Sequence, residues 1–215
     1  MSEQLSDIVY AFAQTPEAMY VARASGLYCS MDNAKTWHNA LARFQEESVA
    51  SIVVTDIAYV AGLLFAATTG GILRSEDGET WEAVPFRKPT PTLSALVASP
   101  NFAEDHTLLA ATLEDGVFRS DNSGKRWLAW NIGLLDQHVL SLVIVDNLVY
   151  VGTETGLFAS YDIGRSWEVV ELPFSDAILS LLLTEDALYV GTENSGLYRY
   201  IKSWEKLELP PGSVN

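Results

Sequence analysis

The segment Ser160–Trp167 reads SYDIGRSW, and the same order of serine, aspartate, glycine and tryptophan returns in altered form three more times along the chain. Short Ser and Asp side chains accept hydrogen bonds from nearby backbone N–H groups, and glycine adopts a positive φ without steric cost. The closing tryptophan carries a large ring that gains free energy by burial. The segment therefore predicts a tight turn between two strands, fixed against a neighbouring unit by its tryptophan.

The other copies each depart from this pattern in one way. Ser30–Trp37 has Ala in the glycine place, Ser75–Trp81 is one residue shorter, and Ser120–Trp127 has Asn in the aspartate place. The fifth copy, around Tyr200–Trp204, has lost the segment. We assign a structural role, rather than ligand contact, to these turn residues: Ser30, Asp32, Trp37, Ser75, Asp77, Trp81, Ser120, Asn122, Trp127, Ser160, Asp162, Gly164 and Trp167.

A longer repeat contains these turns. A glycine followed by two apolar or aromatic residues recurs at intervals of 45, 45, 40 and 40 residues, and a tryptophan follows each one; the glycines are Gly26, Gly71, Gly116, Gly156 and Gly196. Each repeat holds four short apolar runs separated by turn residues, which leaves no room for helices. The pattern predicts an all-β protein, a β-propeller of five four-stranded blades. A leucine-rich or β-helix solenoid is the alternative, but its repeats are usually shorter and lack the tryptophan-marked fourth strand.

The repeats fill the chain. We predict one β-propeller domain over residues 1–215, with blades at about 7–47, 48–90, 91–136, 137–175 and 176–209. Because each blade takes four consecutive strands, no strand is left to be shared between the first and last blades. We expect the five blades to close into a ring through side chains alone; the alternative is an open arc completed by a second chain.

Composition limits the partners. The 215 residues are 48% apolar and 19% charged, as in globular proteins, and 13 basic against 28 acidic residues give a net charge of −15. Nucleic acid and anionic lipid are therefore poor partners, and the apolar runs are too short for membrane insertion. A single cysteine, Cys29, cannot form an internal disulfide, and residues 1–7 lack the features of a signal peptide. We therefore expect a cytoplasmic location.

The turn segments resemble Asp-box, or bacterial neuraminidase, repeats over roughly residues 7–209. Such repeats occur in sialidases, sortilin-type receptors, some xyloglucan hydrolases and the photosystem II stability/assembly factor family. The resemblance implies a propeller and no particular activity, because the same turn serves enzymes, receptors and assembly factors.

The sequence matches the catalytic residues of sialidases poorly. The segment Phe86–Pro89 (FRKP) resembles the F-R-I-P motif of that family, but it follows the second turn tryptophan and has Lys in the place of Ile. Sialidases also need three arginines that converge on one carboxylate. Here Arg74, Arg119 and Arg199 hold the same repeat position, which indicates duplication rather than convergence.

Other catalytic patterns are also missing from the sequence. Adjacent carboxylates fall on predicted turns, where charged side chains are expected because turns are exposed to solvent; the pairs are Glu114–Asp115, Glu104–Asp105 and Glu185–Asp186. The histidines His38, His106 and His138 lack metal-ligand spacing. We assign no catalytic residue, metal or cofactor. Were the protein an enzyme, a glycoside hydrolase with two carboxyl groups across a cleft would be the expected class.

The remaining candidates lie on loops after the second and fourth strands of each blade, which share one face of a propeller. The candidate binding residues there are Phe44, Phe86, Arg87, Trp130, His138, Glu154, Phe174 and Glu193. The phenylalanines could instead plug the gaps between blades. The leading hypothesis is a non-catalytic protein-interaction or assembly-scaffold module using this face, with a protein partner. The alternative is a carbohydrate-binding protein or glycoside hydrolase; the acidic loops would tolerate a neutral glycan and repel an anionic one.

Overall fold

The computed structural model describes residues 7–46, 52–86 and 90–208, which form five antiparallel sheets of four strands, each in chain order. Blades one and two contain β1 (Val9–Gln14), β2 (Met19–Arg23), β3 (Gly26–Ser30), β4 (His38–Asn39), β5 (Val54–Val60), β6 (Leu63–Thr68), β7 (Gly71–Ser75) and β8 (Glu82–Ala83). Blade three contains β9 (Leu93–Ala98), β10 (Leu108–Thr112), β11 (Val117–Ser120) and β12 (Leu128–Ala129). Blades four and five contain β13 (Val139–Val145), β14 (Leu148–Thr153), β15 (Leu157–Ser160), β16 (Glu168–Val170), β17 (Ile178–Leu183), β18 (Leu188–Thr192), β19 (Leu197–Tyr200) and β20 (Trp204–Leu207). The predicted all-β propeller of five four-stranded blades is confirmed.

Two one-turn helices were not predicted. They are α1 (Ala42–Glu46), after β4, and α2 (Phe102–Asp105), between β9 and β10. Both fall in the first two glycine intervals, which are five residues longer than the later ones. The expectation that the repeat leaves no room for helices was therefore wrong for these longer repeats, because the extra residues suffice for one helical turn.

Adjacent blades pack through rows of side chains that cross each sheet. In blade two, Ile57, Ala66 and Leu73 are paired across β5, β6 and β7, and they lie in one buried cluster with residues of blade one. Blades three and four turn the equivalent rows toward the preceding blade in the same way; these rows are Leu96–Ala110–Phe118 and Leu142–Val151–Phe158. We call this the leading side of a blade. Each leading row forms half of the apolar core between two blades.

Among the described residues, no blade packs on the leading side of blade one. Phe12 holds the position of Ile57 and Leu142, yet 66% of its surface is exposed. Trp37 is 40% exposed, whereas the three tryptophans that close the later turns, Trp81, Trp127 and Trp167, are buried. At the other end of the chain, Leu182 of β17 is 58% exposed.

The first strands of consecutive blades pack closely, β1 on β5, β5 on β9, β9 on β13 and β13 on β17. Among the described residues, β1 and β17 are not a closely packed pair. The five blades therefore form an open arc, and the expectation that side chains close blade one onto blade five was wrong. The physical reason is that the rotation between neighbouring sheets, set by their packed side chains, does not bring the fifth sheet back to the first.

Hydrogen bonds near the innermost strands also join the blades. The backbone N–H of Leu96 in blade three donates to Asp56 Oδ2 in blade two at 2.7 Å. Ser141 Oγ in blade four donates to the Ile178 carbonyl oxygen in blade five at 3.1 Å. Burial raises the pKa of Asp56 to about 6, against the opposing effect of the hydrogen bonds that it accepts. These bonds fix neighbouring blades in register.

The turns between the third and fourth strands, which we call box turns, have the predicted hydrogen bonds. They begin at Ser30, Ser75, Ser120 and Ser160. In blade four, Asp162 Oδ1 accepts from the backbone N–H groups of Arg165 and Ser166, both at 2.9 Å, and Oδ2 accepts from Ser166 Oγ at 2.8 Å. Ser160 Oγ accepts from the N–H of Gly164 at 2.8 Å. The serine and aspartate thus satisfy the backbone donors of a turn that has no partner strand.

The glycine of each box turn packs against the preceding blade. A Cβ at Gly124 would overlap the ring of Phe65, and one at Gly164 would press on the Leu109 side chain. Both glycines also have positive φ, at 77° and 76°. Ala34 takes this place in blade one at φ 64°, and it is exposed. No blade in the described part of the chain packs on that side, so the Cβ of Ala34 meets no neighbouring sheet.

Exchanging these residues tests that explanation. We expect Gly164→Ala to destabilise the protein by about 1–2 kcal/mol, because alanine strains the left-handed backbone and crowds Leu109. Ala34→Gly relieves the same backbone strain, offset by the greater freedom of glycine in the unfolded chain, so we expect stabilisation of about 0.5–1 kcal/mol. Urea unfolding followed by tryptophan fluorescence measures both changes. Destabilisation by Ala34→Gly would contradict the assignment of strain at Ala34.

Candidate interaction site

The loops after the second and fourth strands share one face of the arc, which we call the loop face. The box turns and the hairpins between first and second strands share the opposite face, which we call the box face. On the loop face, Asp136 joins two loops of blade four: its Oδ2 accepts from Thr155 N at 3.0 Å and from Thr155 Oγ1 at 2.7 Å. Its Oδ1 accepts from His138 N at 3.0 Å. The loop that enters blade four is thereby fixed to the turn between β14 and β15.

Asp176 repeats this arrangement forty residues later. Its Oδ2 accepts from the backbone N–H groups of Asn194 and Ser195, at 2.8 and 2.6 Å. Desolvation raises the pKa of Asp136, but the hydrogen bonds from His138 and Thr155 outweigh that effect and lower it to about 2. Desolvation raises the pKa of Asp176 as well, but the hydrogen bonds from Asn194 and Ser195 outweigh it and lower the pKa below the ordinary value. Both carboxylates are therefore charged at neutral pH, and each joins two loops by hydrogen bonds.

Between these two loops lies a cavity of about 630 Å³. It is lined by Leu140, Glu154, Thr155, Ser175, Asp176, Ala177, Leu179 and Glu193. Glu154 and Glu193 are both exposed, and Leu179 offers an exposed apolar surface beside them. Of the described residues, none that lines this cavity carries a positive charge. The cavity therefore presents a negative potential with an apolar patch, which suits a cationic group carried on an apolar segment.

The structure thus brings together two of the candidate binding residues, Glu154 and Glu193. It also adds Asp176 and Leu179, which the sequence reading missed. The signal was present in the sequence, because Asp136 and Asp176 are separated by the repeat period and precede equivalent strands.

The candidate phenylalanines fill spaces between secondary-structure elements. Phe86 lies 4.7 Å, between ring centroids, from Phe118 of blade three. Phe174 stacks on Tyr198 of blade five at 4.1 Å, and Phe44 packs against the core between blades one and two. These contacts match the alternative in which the phenylalanines plug gaps.

Trp130 is half-buried and its backbone has a clear role. Its carbonyl oxygen accepts a 2.8 Å hydrogen bond from Trp167 Nε1 in blade four, and its N–H donates to Val117 at 2.9 Å. A partner contact by its side chain stays a prediction. His138 is exposed, with Nδ1 3.2 Å from Asp136 Oδ1. Arg87 lies outside the described residues.

The three repeated arginines lie in different blades. Arg74 pairs with Glu82 of its own blade at 2.9 Å, and Arg199 pairs with Glu205 at 2.5 Å. Arg119 donates to the Ile163 carbonyl oxygen of the next blade and pairs with Asp121. They occupy equivalent positions in blades two, three and five and do not converge on one pocket.

Within the described ranges, no group of three or more His, Cys, Asp or Glu side chains is placed to hold a metal ion. No helix in the described part of the chain is long and apolar enough to cross a membrane.

Solved structures similar to this chain share its architecture. The extracellular domain of the BT4673 system from B. thetaiotaomicron matches 95% of this chain with a TM-score of 0.75 and 20% identity. YCF48 bound to a D1 peptide matches 94% with a TM-score of 0.70 and 13% identity, and an ancestral GH74 enzyme matches 93% with a TM-score of 0.68 and 20% identity. At these identities the likeness shows the fold alone.

The chain spans only part of each of these proteins: 28% of the BT4673 domain, 66% of YCF48 and 31% of the GH74 enzyme. No curated protein matches it significantly. A family model described as the DUF6242 beta propeller domain matches residues 4–140, which is more than half of the 215 residues. The chain therefore belongs to the DUF6242 beta propeller domain family.

Proposed function

We propose that this protein is a non-catalytic interaction or assembly module that binds a protein partner through the acidic cavity on the loop face between blades four and five. The observation that carries the proposal is the convergence of Glu154 and Glu193 on one cavity whose walls are held by Asp136 and Asp176. A rigid site loses little conformational entropy on binding. The exposed Leu179 supplies apolar area beside the charges.

The partner surface is basic. The cavity lining and the net charge of −15 both favour association with lysine and arginine, and they speed the encounter at low ionic strength. A related propeller, YCF48, has been solved with a D1 peptide bound, which supports peptide binding as a use of this architecture. The role we propose is similar to that of the assembly-factor branch of Asp-box proteins.

A double substitution tests the site. We expect Glu154→Gln with Glu193→Gln to weaken binding of a fluorescein-labelled peptide of alternating lysine and leucine by about tenfold, equivalent to about 1.4 kcal/mol. The matched control is Glu17→Gln with Glu104→Gln, which removes the same charge from exposed positions on the box face. Fluorescence polarisation at two salt concentrations measures the affinities, and the difference should shrink at high salt.

The competing results are distinct. Equal weakening by both double variants would show that net charge alone accounts for the binding, and it would overturn the proposed site. Binding of a neutral oligosaccharide on a glycan array, lost in the Glu154/Glu193 variant, would instead establish the carbohydrate-binding alternative. Release of sugar from such a ligand would establish a glycoside hydrolase.

A further inference from the structure

The missing box turn of blade five leaves a second cavity, on the box face. In blades two to four the box glycine lies against a side chain on the second strand of the preceding blade, as Gly124 does on Phe65 and Gly164 on Leu109. Tyr150 holds the position of Phe65 and Leu109 in blade four, since it pairs with the residue that precedes the box serine. Blade five has no box glycine to cover it. The space above Tyr150 is therefore open.

This cavity has a volume of about 740 Å³. Three tyrosines line it, Tyr150 from β14, Tyr161 from the box turn of blade four and Tyr200 from the end of β19. Burial raises the pKa of Tyr150, and Tyr161 and Tyr200 raise it further because they are close by. Tyr161 is 64% exposed, so its ring is accessible to a ligand. The three rings surround one accessible space.

Carboxylates also line this cavity. Asp146 lies on the hairpin of blade four, and Glu185 and Asp186 lie on the hairpin of blade five; all three are exposed. No arginine, lysine or histidine is among the described residues that line the space. Aromatic faces attract cations through the ring quadrupole, and carboxylates add charge attraction and hydrogen-bond acceptors. Arginine satisfies both, because its planar guanidinium stacks on rings and donates to carboxylates at its edge.

We propose that this box-face cavity binds an arginine side chain of a protein partner. The guanidinium stacks against Tyr161 or Tyr200, and its N–H groups donate to Asp186 or Asp146. The site lies on the opposite face from Glu154 and Glu193, so it is independent of the loop-face function. It exists because the fifth repeat departs from the other four.

The chain supplies a matched control for each test variant. Met31 holds the same place in the box turn of blade one as Tyr161 does in blade four, and it is also exposed. Glu17 holds the same place as Asp186: Ala18 N donates to Thr15 Oγ1 in its hairpin, as Ala187 N does to Thr184 Oγ1. Neither control residue lines the cavity.

The experiment is an NMR titration of the full chain, labelled at tyrosine, with acetyl-Gly-Gly-Arg-Gly-Gly-amide. We expect saturable shifts of the Tyr161 and Tyr200 ring signals. The same peptide with lysine in place of arginine should bind more weakly, and the one with glutamate in that place should not bind. Tyr161→Ala should lower the affinity about tenfold and Asp186→Asn about threefold, whereas Met31→Ala and Glu17→Gln leave it unchanged.

The proposal would be overturned by the absence of a saturable shift of the cavity tyrosines, by equal losses in the controls, or by equal affinity for the arginine and glutamate peptides. In the double variant Glu154→Gln/Glu193→Gln, the arginine peptide should shift the Tyr161 and Tyr200 ring signals with the same affinity as in the unmodified chain. A loss in that variant alone would assign the peptide to the loop face and remove the box-face site.

Discussion

Leu142→Ala is expected to lower the free energy of unfolding by about 2–5 kcal/mol, the usual cost of emptying a buried leucine site. Phe12→Ala is expected to cost less than about 1 kcal/mol, although it removes more atoms, because substitutions at exposed sites have small effects. The two residues hold the same position in the first strands of blades four and one. Leu142 is buried against blade three, and Phe12 faces no blade.

Urea unfolding followed by tryptophan fluorescence provides the free energies, and melting provides a second reading. For a domain of this size each kcal/mol lowers the melting temperature by about 2–4 °C, so Leu142→Ala should lower it by at least about 4 °C. Ile57→Ala serves as a further control, since Ile57 holds the same position in blade two and is buried. A loss for Phe12→Ala as large as that for Ile57→Ala would mean that the leading side of blade one is covered in solution.

Asp162→Ala is expected to cost about 1–3 kcal/mol, because it removes a charged acceptor of two backbone N–H groups and two hydroxyls. Asp162→Asn should cost less. Blade three already carries Asn122 in this place, and its Oδ1 accepts from Arg126 N at 2.9 Å. Thermal unfolding of the three proteins at pH 7 measures the series. Equal stability of the alanine variant and the unmodified protein would show that the box turn does not support the fold.

The difference in stability between the unmodified protein and Asp162→Ala should depend on pH. Desolvation raises the pKa of Asp162, but hydrogen bonds from Ser166 and its neighbours outweigh it and lower the pKa to about 2. The unfolded chain has an ordinary aspartate pKa near 4. The contribution of Asp162 is therefore fully present above about pH 4 and is lost as the pH falls toward 2. The difference in stability between the unmodified protein and Asp162→Ala should shrink in that window; a difference that stays constant to pH 2 would contradict the assignment.

The contribution of Asp56 to the pH dependence of stability has the opposite sign. Burial raises its folded pKa to about 6, so ionisation of the unfolded chain lowers stability as the pH rises from about 4 to about 6. The Asp162 comparison is free of this effect, because Asp56 is present in both proteins.

The repeat and its turns could be read from the sequence because they are local. In these turns, serine and aspartate side chains accept hydrogen bonds from backbone N–H groups a few residues away, as Ser160 does from Gly164 and Asp162 does from Ser166. The period of 40–45 residues follows from four short strands. The one-turn helices α1 and α2 were missed, since four or five residues leave little periodicity to detect. From the sequence, Phe86 and Phe174 allowed two interpretations, because an aromatic residue in a loop can either pack or project; in the structure their rings pack on Phe118 and Tyr198.

By itself the sequence determined the blade count, the strand order and the box turns, all of which depend on neighbours along the chain. Only the tertiary structure decided how the blades relate to one another. The arc is open because the packing at four successive blade interfaces does not return the fifth sheet to the first, and no local stretch of sequence encodes that result. Glu154 and Glu193 share a cavity, and Tyr150, Tyr161 and Tyr200 share another, because adjacent sheets bring loops forty residues apart into contact. Packing between sheets, rather than spacing along the chain, sets which side chains can meet a ligand.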